Sequence, residues 1–186
     1  MELNLEENTK QEDQLEQIGR RILALSRNEL YLQMRFLDVA LSSLAYVQDF
    51  SVSLVATDGW NLYFHPGELG GLYRKNRLDV NRAYLHAVMH CIFRHMITRK
   101  GREKLWWNLA CDIVTESIID GWNTRNIRRA KSWLRQETYR KMQGEMKVLT
   151  AEKVYGSLMR WELSEREMLR LQAEFTVDDH KYWAED

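Results

Sequence analysis

The chain has 186 residues, 45% of them hydrophobic and 29% charged, which is typical of one globular domain and excludes a disordered chain. Lysine plus arginine and aspartate plus glutamate number 27 each, so the formal net charge of zero argues against a dedicated nucleic-acid-binding protein. The two cysteines are too few for a disulfide framework and favour a reducing, cytoplasmic setting.

The N-terminal stretch MELNLEENTKQEDQ is polar and acidic and lacks the basic and apolar regions of a signal peptide. No apolar run reaches the roughly 18 residues that a membrane span needs. We therefore expect a cytoplasmic domain without a membrane span.

The first half of the chain predicts helix followed by a hairpin. Apolar residues recur at helical spacing over residues 9–45, which predicts one long helix, or two with a break near residues 26–28. The β-rich segments 51–56 and 60–65 flank Asp58-Gly59, a strong hairpin signal. Pro66 and the glycines at 67, 70 and 71 end the hairpin.

The second half predicts mainly helices. One is expected over residues 79–99 and another over 106–120, with Gly121 after its end. Residues 122–149 give no clear pattern. Thr150 is a candidate N-cap for a short helix, and Ser164 with Glu167 forms a candidate capping box. We expect a mostly helical α+β domain over residues 1–186, with N-terminal helices in 1–48 and a motif-bearing core in 49–183.

Two histidines in HAVMH point to a metal site. At about 100° per residue, His86 and His90 lie about 40° apart on one face of a helix, so both rings can reach one zinc ion. The segment has the skeleton of the zinc-protease motif HExxH, but Ala87 stands where that motif has glutamate.

The next predicted helix offers a third ligand. Asp112 and Glu116 are four residues apart and share a face. Asp112 is a candidate zinc ligand, and Glu116 is a candidate acceptor for the second N–H of a ligand histidine. His95 lies about 180° around an unbroken helix from His86, so we expect it to contact the second helix or the helix end rather than the metal.

Five motifs in order resemble one family. They are TDGWNLYFHP (57–66), HAVMHCIFRHMITR (86–99), WNLACDIVTESI (107–118), AEKVYGSL (151–158) and VDDHKYW (177–183). Together they resemble the putative metallopeptidase domain that usually precedes a von Willebrand A-like domain in bacteria. The resemblance covers about residues 50–183.

This resemblance implies a minimal zincin-like fold, with an active-site helix and an edge strand beside a cleft. It implies Zn²⁺ at His86 and His90, with Asp112 as the first choice for the third ligand and His180 as the alternative. Residues expected to support the ligands are Glu116, His95 and Asn108. The hairpin strand is expected to hold an extended peptide by β-augmentation through Trp60, Asn61, Leu62 and Tyr63.

Two departures from the family pattern limit what it implies. The von Willebrand A-like half is expected to be absent, so its adaptor roles do not carry over. A zinc peptidase hydrolyses peptide bonds with zinc-activated water and needs a general base. Ala87 supplies none, so we expect this chain to be inactive or nearly so. The sequence fits either a natural pseudopeptidase or an introduced Glu→Ala change, and the intact ligand residues favour the introduced change. The alternative function is a non-catalytic, zinc-containing module that binds a peptide or protein.

The expected partners are a peptide or protein substrate and, potentially, a separately encoded protein. Nucleic acid is a weaker candidate, because the basic residues of 125–141 are more simply explained as a solvated surface. The residues that would form such a basic face are Arg125, Arg128, Arg129, Lys131, Arg135, Arg140 and Lys141.

Overall fold

The computed structural model describes residues 2–184, with side chains from residue 10 onward. The elements confirm a mostly helical α+β fold with a small sheet. In chain order they are α1 (Glu2–Gln33), α2 (Asp38–Ser42), β1 (Ala45–Gln48), β2 (Val55–Thr57), β3 (Asn61–Phe64), α3 (Pro66–Lys75), α4 (Arg77–Phe93), α5 (Lys104–Gly121), α6 (Trp133–Glu145), α7 (Ala151–Arg160) and α8 (Glu165–Phe175).

Helix α1 is continuous past residues 26–28, so of the two predicted arrangements the long helix is confirmed for Glu2–Gln33. The helical prediction is wrong beyond Gln33, because a 3-10 turn (Arg35–Leu37) separates α1 from α2 and Ala45 begins strand β1. Pairing with β3 overrides the local pattern there. Helix α1 packs closely on the sheet, since a Cβ on Gly19 would lie 2.2 Å from Cε2 of Phe64.

The predicted hairpin is confirmed as β2 and β3, which pair in antiparallel register. Gly59 has φ of +95° in the turn, a conformation that favours glycine. The Asp58 carboxylate accepts the backbone N–H groups of Trp60 and Asn61. Strand β1 pairs in parallel with the other side of β3, and the sheet order is β1-β3-β2.

This order corrects the prediction that the hairpin strand WNLYFH is an edge strand. Strand β3 lies in the centre of the sheet, so its backbone groups already pair on both sides. An added peptide strand cannot pair with it, and the prediction of β-augmentation at β3 is wrong. No strand was predicted over residues 45–48, so the second partner of β3 was not expected.

Residues 66–75 form helix α3 rather than an irregular end to the hairpin. Pro66 occupies the first turn, where its missing N–H costs nothing. The His65 ring accepts the backbone N–H of Glu68 and so caps the helix. Capping and packing against α1 outweigh the low helix propensity of three glycines.

Helix α4 begins after the N-cap Asn76 and ends at Phe93, six residues before the predicted end at residue 99. Arg94 adopts the left-handed conformation with φ of 58°, and a short 3-10 turn, His95–Ile97, follows. Because the chain reverses here, His95 folds back toward α4 instead of continuing along it. Helix α5 confirms the second predicted helix.

Residues 122–149, which show no clear sequence pattern, contain helix α6. The predicted caps are confirmed in the two helices that follow, at Thr150 for α7 and at Ser164 with Glu167 for α8. Arg135 was expected on a solvated basic face, but its side chain is fully buried among carboxylates. None of the described helices is long and apolar enough to cross a membrane.

Two hydrophobic clusters make up most of the core. One joins α1, the sheet and α4, and the other joins α5 to α6, α7 and α8. After α8, residues 176–184, which we call the tail, run along β2. Asp179 donates its backbone N–H to the carbonyl of Val55, and Ala184 donates to the carbonyl of Met96. The tail therefore covers the side of α4 that carries the histidines.

Candidate metal centre

Helix α4 presents His86 and His90 on one face, as their spacing predicts. Their ring centroids are 4.5 Å apart, and both residues have no solvent exposure. Helix α5 crosses opposite and places a carboxylate between them. Oδ1 of Asp112 lies 3.4 Å from Nε2 of His86 and 3.3 Å from Nε2 of His90. The other Asp112 oxygen accepts the Thr176 hydroxyl, which orients the carboxylate.

The tail adds two more possible ligands to His86, His90 and Asp112, and we call these five residues the cluster. Nε2 of His180 lies 3.0 Å from Oδ1 of Asp112, so the tail folds back over the histidines. The sequence interpretation missed Asp178, whose Oδ1 lies 3.4 Å from Nε2 of His86 and 3.0 Å from Nε2 of His180. Its position two residues before His180, which places both side chains on one side of an extended segment, was the available signal.

The atoms converge on one point at distances that suit a metal ion. Metal–ligand distances of about 2.0–2.2 Å put neighbouring ligand atoms of a tetrahedral zinc site about 3.3–3.6 Å apart. One ligand atom from each of His86, His90, Asp112 and Asp178 lies within 4.8 Å of the others. These distances and the nitrogen and oxygen donors fit a divalent cation, whose charge the two carboxylates would balance.

Orphaned polar atoms support the same conclusion. Nε2 of His90, Nε2 of His180 and both carboxylate oxygens of Asp178 are buried without a hydrogen-bond partner among the described residues. Such burial costs free energy unless a partner compensates. His86 Nε2 and Asp112 Oδ1 meet in hydrogen-bond geometry, but these four orphaned atoms do not pair with their neighbours, so they point to a common centre.

Glu116 fixes the orientation of His86 from behind. Its Oε1 lies 3.0 Å from Nδ1 of His86, while Oε2 accepts hydrogen bonds from Arg82 and Arg135 at 2.6 Å each. Burial raises the pKa of Glu116, but the hydrogen bond to His86 and the arginine charges outweigh it and hold the pKa well below its ordinary value. An ionised Glu116 only accepts, so Nδ1 of His86 donates and Nε2 faces the cluster.

His95 supports His90 in a similar way. The two Nδ1 atoms are 2.8 Å apart. Burial lowers the pKa of His95 to about 2, so this ring is neutral and can accept a hydrogen bond. When Nδ1–H of His90 donates to His95, Nε2 of His90 keeps its lone pair for the cluster. The chain reversal at Arg94 creates this contact.

The charges of the cluster also suit a cation. Burial raises the pKa of Asp112, but the charge of His180 and hydrogen bonds from the histidines outweigh it, and the pKa lies well below its ordinary value. Burial lowers the pKa of His180, whereas Asp112 and Asp178 together raise it to about 10. Two carboxylates are thus held as anions and attract positive charge to the space between them.

Ala87 lies beside the cluster, fully buried in α4. The Cys91 thiol donates to its carbonyl oxygen at 3.2 Å and lies 3.6 Å from the Thr57 hydroxyl. Burial raises the pKa of Cys91, so the thiol stays protonated. The neighbouring Glu116 is committed to His86 and the arginines. These side chains do not provide the proton acceptor that position 87 lacks.

The remaining predicted site residues lie away from the cluster centre. Asn108 is half-buried on α5, one turn before Asp112, and makes no hydrogen bond to the cluster in the described part of the chain. Leu62 is fully buried in the core, whereas Trp60 is 81% exposed in the hairpin turn. The amide of Asn61 and the hydroxyl of Tyr63 both donate to Asp58. Tyr63 also stacks on Tyr182 of the tail, with ring centroids 4.0 Å apart.

The tail encloses the cluster. Trp183 packs on His180 and His90, with ring centroids 3.9 and 4.9 Å apart respectively. The side chains of Asp178 and Asp112 are at most 1% exposed. A polypeptide substrate would therefore reach the cluster only after the tail moves.

Comparison with known proteins identifies the family of this chain. The family model described as putative metallopeptidase domain matches residues 20–180. Neither the curated proteins nor the solved structures gave a match. Since the family model spans well over half of the chain and includes all five candidate ligands, the chain belongs to the putative metallopeptidase domain family.

Proposed function

We propose that this chain is a zinc-binding domain of the metallopeptidase type, which holds Zn²⁺ through His86, His90 and Asp112. The observation that carries the proposal is the convergence of two imidazole Nε2 atoms and one carboxylate oxygen in a buried space. Three protein ligands with one open position are the arrangement of catalytic zinc sites. When bound, zinc polarises a carbonyl oxygen and acidifies water.

The residues around the ligands serve binding and orientation. Glu116 and His95 hold the outer nitrogens of His86 and His90, which keeps the inner nitrogens aimed at the cluster. Ala87 has no group that accepts a proton. General acid–base assistance is typically worth about 10²–10⁴-fold in rate, so hydrolysis of a peptide bond by this chain is expected to be absent or very slow.

The proposal is tested by supplying the missing base. Ala87→Glu is compared with Ala87→Gln, which has the same size but accepts no proton at neutral pH. The probe is fluorescently labelled casein with zinc present, and cleavage is measured over time. Because the tail covers the cluster, both substitutions are also made together with His180→Ala. Cleavage by the glutamate variants alone would support the proposal.

The same experiment can also contradict the proposal. If the glutamate variants bind zinc in the same amount as the parent and cleave nothing, with or without His180, the peptidase assignment is wrong. A folded Ala87→Gln protein shows that the larger side chain itself is tolerated at this buried position.

A second function, a non-catalytic zinc-containing module that binds a peptide or protein, is favoured by one observation. The tail brings Asp178 and His180 to the same point as the helical ligands, and structural zinc sites are closed in this way. Zinc would then stabilise the fold without chemistry. Under this function, removing zinc with a chelator should lower the melting temperature and abolish binding of the partner.

A further inference from the structure

A second polar site lies behind the cluster, between the C-terminal end of α5 and the loop 122–132. It is a cavity of about 330 Å³, and we call it the basic cavity. The loop contributes Arg128, Arg129 and Lys131 to its wall, and Arg82 of α4 contributes from the protein interior. We infer that the basic cavity binds a phosphate-type oxyanion.

The charges of the lining residues favour an anion. Asp120 is the carboxylate in the wall, and it already accepts hydrogen bonds from Arg82, Arg135 and the Tyr139 hydroxyl. Arg128 and Lys131 form no ion pair with any carboxylate of residues 10–184. Positive charge in the wall is therefore left without a partner at the point where solvent enters.

The interior wall adds a buried positive charge. The Arg82 side chain is 3% exposed, and its terminal nitrogens donate to Glu116, Asp120 and the carbonyl of Ile127. Its Nε–H, however, is buried without a partner among the described residues. Arg82 therefore places a guanidinium, held by three hydrogen bonds, in the interior of the wall.

The chemistry of the wall narrows the ligand class. Guanidinium groups bind phosphate oxygens through paired, charge-assisted hydrogen bonds, and the ammonium of Lys131 acts as a further point charge. The carbonyl end of α5 contributes a partial negative charge, but Trp122 N–H caps two of its carbonyls and Asp120 is neutralised by two arginines. A doubly charged oxyanion matches this wall better than a carboxylate with a single charge.

The test is an isothermal calorimetric titration of the purified protein with inorganic phosphate at constant ionic strength. The variant Arg128→Gln/Lys131→Gln removes two exposed cations of the wall and leaves Arg129, which touches Glu116, in place. The matched control Lys10→Gln/Arg166→Gln removes two exposed cations elsewhere. The parent should bind phosphate saturably, with affinity about tenfold weaker in the wall variant, as expected for a lost charge-assisted hydrogen bond, and unchanged in the control.

Two further arms complete the test. Repeating the titration with His86→Ala separates the basic cavity from any phosphate that binds the metal, and binding should persist. The affinity for phenyl phosphate is compared with that for inorganic phosphate. The tighter of the two shows whether the cavity favours a phosphate monoester or the free ion. Absence of saturable binding, equal weakening in the control variant, or loss of binding in His86→Ala would overturn the inference.

Discussion

The carboxylate of Glu116 holds Nδ1 of His86 at 3.0 Å, and this contact determines which ring nitrogen faces the cluster of candidate ligands. The same carboxylate is itself held by buried arginines on its other oxygen. The orientation of His86 thus depends on a chain of charged contacts that extends from the cluster to the basic cavity. Residues that never touch the metal should therefore affect how tightly it binds.

Glu116→Gln is expected to weaken metal binding by about 10–100-fold, because a neutral amide no longer fixes the ring of His86 as an anion does. The affinity is measured by competition with a chromophoric chelator. Glu174→Gln is the matched control, since Glu174 also pairs with Arg135 but contacts no histidine. Equal losses in the two variants would mean that Glu116 acts only through general stability.

The third ligand can be identified by comparing Asp112→Asn with His180→Gln. Asp112 lies on a helix beside both α4 histidines, whereas His180 lies on the tail. Asp112→Asn should lower zinc affinity at least about tenfold, and His180→Gln should lower it less. The reverse order would assign the third ligand to His180.

Protonation of Asp49 at low pH should weaken its contact with the tail. Hydrogen bonds from Ser51 and then from Tyr182 lower the pKa of Asp49 well below its ordinary value. The resulting stability is present above the unfolded-state pKa of about 3.9 and is lost as pH falls through the folded-state pKa. Asp49→Asn should therefore lower the melting temperature at pH 7, with a difference that shrinks below about pH 4.

The control for this measurement is Asp13→Asn, which removes one exposed carboxylate of α1 far along the chain from the tail. Melting curves of the three proteins between pH 3 and 7 decide the matter. A difference between parent and Asp49→Asn that stays constant down to pH 3 would show that the charge of Asp49 is not what holds the tail.

The close approach of α1 to the sheet makes Gly19 sensitive to a single added carbon. Gly19→Ala should destabilise the protein by about 1–3 kcal/mol, because its Cβ would overlap the buried Phe64 ring. Gly70→Ala in α3 meets nothing within 4 Å and should be neutral or stabilise by up to about 1 kcal/mol. Urea denaturation that gives the same change for both would contradict close packing of α1 on the sheet.

Local signals predicted much of this fold and part of the site. The spacing of His86 with His90, the Asp58-Gly59 turn and the capping residues Thr150 and Ser164 all act within a few positions, so the sequence reports them directly. Strand β1 and helix α3 escaped prediction because each depends on a partner distant in sequence. The central position of β3 follows from that same missed pairing.

The tail shows most clearly which contacts the sequence does not predict. Motif order suggested His180 as a possible ligand, but Asp178 joins the cluster because the tail pairs with β2 through Asp179. That contact links segments more than 100 residues apart, and no periodicity records it. Arg135 is a similar case, since a basic sequence context favours the surface while three carboxylates draw the side chain inside.

The most direct measurement is the zinc content of the purified protein, alongside His86→Ala and the matched control His65→Ala. His65 caps α3 through Glu68 and lies outside the cluster, so it controls for loss of a histidine. The proposed metal site predicts about one zinc ion per chain, retained in His65→Ala and lost in His86→Ala. No zinc in the parent after zinc is supplied, or full retention in His86→Ala, would contradict it.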